Sequence, residues 1–163
     1  MKSIVKFAVL LCALTVVASA APNSQESFDQ LKSLAGTWEG TSPKGPVQVS
    51  YRVMANGSSV VSEINGTHED SMVSVFNMDK NRLLMTHYCG AGNQPRMAAS
   101  ASPDGKTLTF DFVDGTNILP SQMGHMEHLI VTMADADHHS ELWVFKTSDG
   151  KEMKETFELT RKK

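Results

Sequence analysis

Five Asx-Gly pairs punctuate the last two-thirds of the chain: Asn56-Gly57, Asn65-Gly66, Asp104-Gly105, Asp114-Gly115 and Asp149-Gly150. Most stand between runs in which apolar and polar residues alternate, as at Val47, Val49, Tyr51 and Val53, or at Leu108, Phe110 and Phe112. A type I′ turn needs positive φ at both central residues, which Asn, Asp and Gly tolerate, so such a pair predicts a hairpin. Alternation with period two sends one set of side chains inward and the other to solvent. Repeated along the chain, the two signals predict a meander of short antiparallel strands.

Counting from Thr37-Trp38-Glu39 to the run Met153–Thr160 gives about ten strands, with an irregular stretch over 114–124. A helix is predicted over Ser24–Leu34, where Phe28, Leu31 and Leu34 form one apolar stripe. Ser24 is its expected cap, with Ser27 the alternative, and Ala35-Gly36 ends it. Nothing repeats at the period of a solenoid or propeller. An open sheet of this many strands leaves two edges and curls. The expected fold is therefore all-β: an antiparallel up-and-down barrel of about ten strands with a short N-terminal helix. Such a barrel is wider than the roughly eight-stranded size that side chains just fill. It holds a ligand cavity unless large side chains occupy it.

Residues 1–20 read as a signal peptide, with Lys2 and Lys6 at the basic end, Phe7 to Val17 apolar, and Ala18-Ser19-Ala20 as the cleavage site. The apolar run is short for a bilayer span. The expected product is a single domain over 21–163, secreted or periplasmic, without membrane insertion. Removing Lys2 and Lys6 leaves 13 basic against 18 acidic residues, a formal charge of −5. The terminal Arg161-Lys162-Lys163 is the one basic cluster, so nucleic acid is not an expected partner. Only Cys89 survives processing, which leaves stability to packing rather than a disulfide. A monomer or weak homodimer is expected.

The run Leu31-Lys32-Ser33-Leu34-Ala35-Gly36-Thr37-Trp38-Glu39-Gly40 resembles the entry to calycin-type barrels. In lipocalins, fatty-acid-binding proteins and nitrobindin-like haem barrels a short helix leads to a Gly-x-Trp motif on the first strand. The resemblance implies that Gly36 and Trp38 are structural, with the Trp packed across the closed end. In strand count the nitrobindin-like group is nearest. The chain departs from lipocalins proper in lacking their disulfides and a helix after the last strand. Its Thr-His-Tyr-Cys and Asn-Gln-Pro-Arg-Met segments also look like those of secreted bacterial proteins of unassigned function. That likeness implies the fold and no particular activity.

The stretch Thr86-His87-Tyr88-Cys89-Gly90-Ala91-Gly92-Asn93-Gln94-Pro95-Arg96-Met97 carries the most chemistry. On a strand His87 and Cys89 share a face with Leu83 and Met85. If that face is interior, an imidazole and a thiol line the cavity near its mouth. Arg96 offers a planar donor fork for a carboxylate. The competing reading has Asn93 and Gln94 bonded to their own loop and Arg96 paired with a carboxylate such as Asp111. Candidate ligand-binding residues are thus His87, Cys89, Asn93, Gln94, Arg96 and His125.

His125 and His128 face opposite ways on a strand and cannot share a metal. His138 and His139 are expected on a solvated turn. A Cys89–His87 catalytic pair sits about 6–7 Å apart along a strand and lacks a third orienting group. The leading expectation is non-catalytic binding of a small, largely apolar ligand. The alternative is a haem- or metal-dependent enzyme or redox protein using His87 or His125.

Overall fold

The structure, a computed structural model, describes residues 22–66 and 69–163. The expected export segment over residues 1–20, with Ala21 or a near neighbour as the new N-terminus, lies outside them.

Helix α1 (Ser24–Ser33) opens on Asn23, not on Ser24 or Ser27. Asn23 Oδ1 accepts from the Gln25 and Glu26 backbone N–H groups at 3.0 and 2.9 Å, while Glu26 Oε2 accepts from the Asn23 N–H at 2.8 Å. This reciprocal capping box satisfies donors that no residue inside the helix can reach. Ser27 is buried instead, on the face of Phe28 and Leu31.

Ten strands follow: β1 (Gly36–Ser42), β2 (Gly45–Met54), β3 (Ser59–Gly66), β4 (Glu69–Asp79), β5 (Arg82–Tyr88), β6 (Gln94–Ala101), β7 (Thr107–Thr116), β8 (Gly124–Met133), β9 (His138–Thr147) and β10 (Glu152–Arg161). Each pairs antiparallel with the next, and β1 pairs with β10, so the sheet closes into a barrel without edges. The closing seam sets Trp38 opposite Arg161 and Gly40 opposite Leu159.

Three of the five Asx-Gly pairs are hairpin tips, and only Asn56-Gly57, with φ of 55° and 85°, has both residues at positive φ. At Asp104-Gly105 and Asp149-Gly150 the glycine alone is positive, at 70° and 82°. This is the longer-hairpin geometry, in which a left-handed glycine follows a type I turn. Asn65-Gly66 instead ends β3. Asp114-Gly115 lies inside β7, where a bulge shifts the partners of Arg96 and Met97 from Asp114 to Phe112. The irregular segment therefore starts after Thr116 rather than at 114. Gly115 sits flat on β6: a Cβ there would stand 2.8 Å from the Gln94 carbonyl oxygen.

One end of the barrel is plugged. Trp38 is fully buried, its Nε1–H donates to the Leu34 carbonyl at 2.8 Å, and the Arg161 guanidinium lies 4.1 Å over its ring. Arg161 also donates to the carbonyls of Ser33, Ala35 and Ala136, tying the helix end and the β8–β9 turn to the last strand. Gln30 donates to the Gly105 carbonyl at 2.6 Å and anchors α1 to the β6–β7 turn. Tyr51, Phe76, Met85, Met97 and Phe110 fill the interior beside this plug. The opposite end carries the β1–β2, β3–β4, β5–β6, β7–β8 and β9–β10 connections.

Candidate functional site

At that opposite end the interior holds a cavity of about 670 Å³, within the range of small-molecule sites. Its walls are dominated by soft, apolar side chains. Met72, Met123, Met126 and Met153 supply four thioethers, and Trp143, Phe145 and Phe157 supply aromatic surface. Methionine adapts its shape to an occupant because its chain is unbranched and polarizable. Met153, Glu155 and Phe157, on one face of β10, all line the cavity, and Leu159 continues into the core.

Polar groups are few. Lys44 Nζ bonds Glu155 Oε2 at 2.9 Å across the wall, and Lys154 Nζ pairs with Glu152 at 3.1 Å. Cys89, Gly90 and Gln122 complete this part of the lining. Burial raises the Cys89 thiol above its ordinary range, against a smaller pull from a hydrogen bond with the Ala91 backbone. The thiol is therefore held protonated, the opposite of what a nucleophile needs.

Beneath the cavity lies a polar layer that the sequence reading missed. Glu141 is 0 % exposed, yet three side chains converge on its carboxylate. Tyr51 Oη donates to Oε1 at 2.6 Å, Trp143 Nε1 donates to Oε2 at 2.9 Å, and His139 Nε2 stands 3.3 Å from Oε1. Burial, and then the charge of Glu141 beside it, hold the Tyr51 phenol well above its usual range. The His139 ring meets Trp38 edge-on at 4.2 Å, so it is buried in the core rather than on the expected solvated turn. His138 alone stays in that turn, bonded to Asp135. Buried polar groups survive when they satisfy one another; here the carboxylate of Glu141 is satisfied, while His139 Nδ1 has no partner among the described residues.

The six candidate residues separate. His87 faces inward and is 0 % exposed; its Nδ1 meets Ser74 Oγ at 2.9 Å, and its ring lies 4.8 Å from Trp143. Burial lowers its pKa to about 4, against a smaller opposing pull from Glu141, so the ring is neutral near pH 7. Its Nε2 has no hydrogen-bond partner among the described residues. Trp143 is part of the cavity lining and His87 is not; the imidazole packs behind the indole. Cys89 reaches the cavity itself. Asn93 is buried behind the mouth, where its amide donates to the Gly124 carbonyl at 2.7 Å and reaches Gln122 at 3.3 Å.

Gln94 and Arg96 are absent from the lining. Gln94 accepts from Thr116 Oγ1 at 2.7 Å, and Arg96 stands on the outer face with its Nε 2.8 Å from Asp114. The arginine's partner is Asp114, while Asp111 bonds His128. Arg96 alternates with the buried Pro95 and Met97 on β6 and so faces outward, and the β6–β7 bulge aligns it with Asp114. His125 also leaves the wall: it stacks 4.3 Å from Phe112 and bonds Glu127, which Lys146 holds in turn. Among the described residues no three His, Cys, Asp or Glu side chains converge as metal ligands. Neither imidazole of the alternative reading lines the cavity, so the residues present do not fit a haem held by His87 or His125.

No family model matches the chain, and no curated protein matches it significantly. Among solved structures the chain is similar to the crystal structure of Rv2717c from M. tuberculosis, at a TM-score of 0.58 and 14% identity. The match covers 84% of this chain and 98% of that one. At that identity the likeness shows the barrel fold, and nothing of what either protein binds.

Proposed function

We propose that the protein is a non-catalytic, calycin-like carrier or sensor that binds a small apolar or amphipathic molecule at the mouth of its barrel. The observation that carries this reading is the cavity of about 670 Å³ with its thioether and aromatic walls. A closed core of this size would ordinarily be packed to crystal-like density. Here one end is packed and the other is open. Among the described residues the wall pairs no nucleophile with a base, which favours binding over catalysis: the Cys89 thiol is held protonated, and His87 bonds Ser74 rather than the thiol. The leading segment at residues 1–20 supports export to the periplasm or exterior, where such a barrel acts as a monomer or weak homodimer.

The test uses the indoles. Trp143 lines the cavity and Trp38 sits in the plug at the other end. Titration with N-phenyl-1-naphthylamine, a fluorescent apolar probe, is expected to saturate at one equivalent, with energy transfer from Trp143 that Trp143→Phe reduces, leaving Trp38 as the more distant donor. A linear, non-saturating response would refute the proposal.

A further inference from the structure

The thioethers at the mouth are the part of the apolar wall that solvent reaches best. Met123 is 75 % exposed and Met153 62 %, although both line the cavity, whereas the lining residues Trp143 and Phe157 are buried. Strand register groups these thioethers. Met126 on β8 and Met153 on β10 both lie opposite Phe145 of β9. Met123 precedes β8, and its carbonyl accepts from the Ser148 N–H at 2.9 Å, which fastens it to the β9–β10 hairpin. One arc of the rim therefore carries Met123, Met126 and Met153, while Met85 and Met97 are fully buried in the core. A thioether is an apolar group that one two-electron oxidation makes polar. At Met123 and Met153 the sulfur-bearing side chain meets a dissolved oxidant on one side and the occupant of the cavity on the other.

We propose that Met123 and Met153 are modification sites: oxidation of their thioethers to sulfoxides by a peroxide lowers the affinity of the cavity for its apolar ligand, and reduction restores it. The inference rests on the binding function proposed above and adds its regulation. In the forward step a sulfur lone pair attacks one oxygen of hydrogen peroxide. The S–O bond forms as the O–O bond breaks, and the proton of the transferred oxygen passes to the departing hydroxide, which leaves as water. Sulfur loses the two electrons that the peroxide gains. A dithiol reverses the step through a methionine sulfoxide reductase, the sulfoxide oxygen leaving as water and the dithiol becoming a disulfide. In the empty, oxidised barrel the exposed sulfoxide oxygen stays hydrated, so the fold is not taxed. An apolar ligand strips that water and offers no donor in return, so the cost of an unpaired acceptor falls on binding.

The experiment treats the protein with hydrogen peroxide, removes the excess with catalase, maps the sulfoxides by mass spectrometry and titrates N-phenyl-1-naphthylamine. Met123 and Met153 are expected to be oxidised before Met85 and Met97, with the far-UV circular dichroism unchanged and probe affinity about ten-fold weaker. The two methionine sulfoxide reductases, one for each epimer, are expected to restore the affinity, and dithiothreitol alone is not. Each variant is compared with its own untreated state. Met123→Leu/Met153→Leu is expected to keep its affinity to within about two-fold through the treatment. Met54→Leu, which removes the exposed thioether at the plugged end, is expected to lose affinity as the wild type does. Unchanged binding with Met123 and Met153 oxidised, an equal loss in Met123→Leu/Met153→Leu, unfolding on treatment, or recovery with dithiothreitol alone, which would place the lesion at Cys89, overturns the inference and leaves the binding function standing. Failure of the untreated protein to bind the probe saturably overturns the binding function, and this inference with it.

Discussion

At the scale of single residues, His87 makes the sharpest claim. It is neutral in the fold because burial lowers its pKa to about 4, whereas in the unfolded chain it titrates near its ordinary 6.5. Between those values the unfolded chain binds the proton and the native ring does not, so stability falls as pH drops from 6.5 towards 4 and this loss stops below 4. The full shift corresponds to about 3 kcal/mol. Urea midpoints at pH 7 and pH 4.5 are expected to differ less in His87→Gln than in the wild type, the carboxylates contributing equally to both. An identical pH dependence would place the imidazole in water. The inward face of β5 was readable from Leu83, Met85 and His87. The inward face of β9 was not: it carries His139, Glu141, Trp143 and Phe145, while Leu142 and Val144 lie on the other. Because Glu141 finds its donors inside, from Tyr51 and Trp143, and His139 packs beside it, the two erase the polar-out pattern on which a sequence reading depends.

At the scale of elements, the seam between β1 and β10 makes the barrel. Gly40 has no room for a side chain: a Cβ would stand 1.9 Å from the backbone oxygen of Glu158. Gly40→Ala must therefore push β1 off β10, with a loss of about 3 kcal/mol by overpacking. Gly150→Ala, whose Cβ meets nothing within 4 Å, is the control for backbone strain alone, at about 1 kcal/mol for its left-handed φ. Amide exchange that quickens in β1 and β10 of Gly40→Ala would confirm the site of damage, and unchanged midpoints would contradict it. Strand number and the helix were legible because alternation and an apolar stripe are local signals. Turn type was not. Whether Asp104 or Asp114 sits at a tip depends on pairing register, and the β6–β7 bulge carries Asp114-Gly115 into the ladder. Arg96 takes its partner from the same register, which is why its pairing with Asp114 rather than Asp111 could not be read from the loop it borders.

At the scale of the whole molecule, closure was foreseeable from the strand count, and uneven filling was not. Trp38, Tyr51, Phe76 and Phe110 crowd the helix end, whereas Met72, Met123, Met126 and Met153 ring the mouth. Packed plug, polar middle layer and open chamber form one axial series, and the function proposed rests on the last. The most direct test is to fill that chamber. In Met72→Trp/Met126→Trp, with binding read from the probe's own emission, saturable N-phenyl-1-naphthylamine binding is expected to weaken more than ten-fold, the gain in apolar contact keeping the melting temperature at or above that of the wild type. Undiminished binding in a folded, filled variant would contradict the claim that the mouth of the barrel is a ligand site.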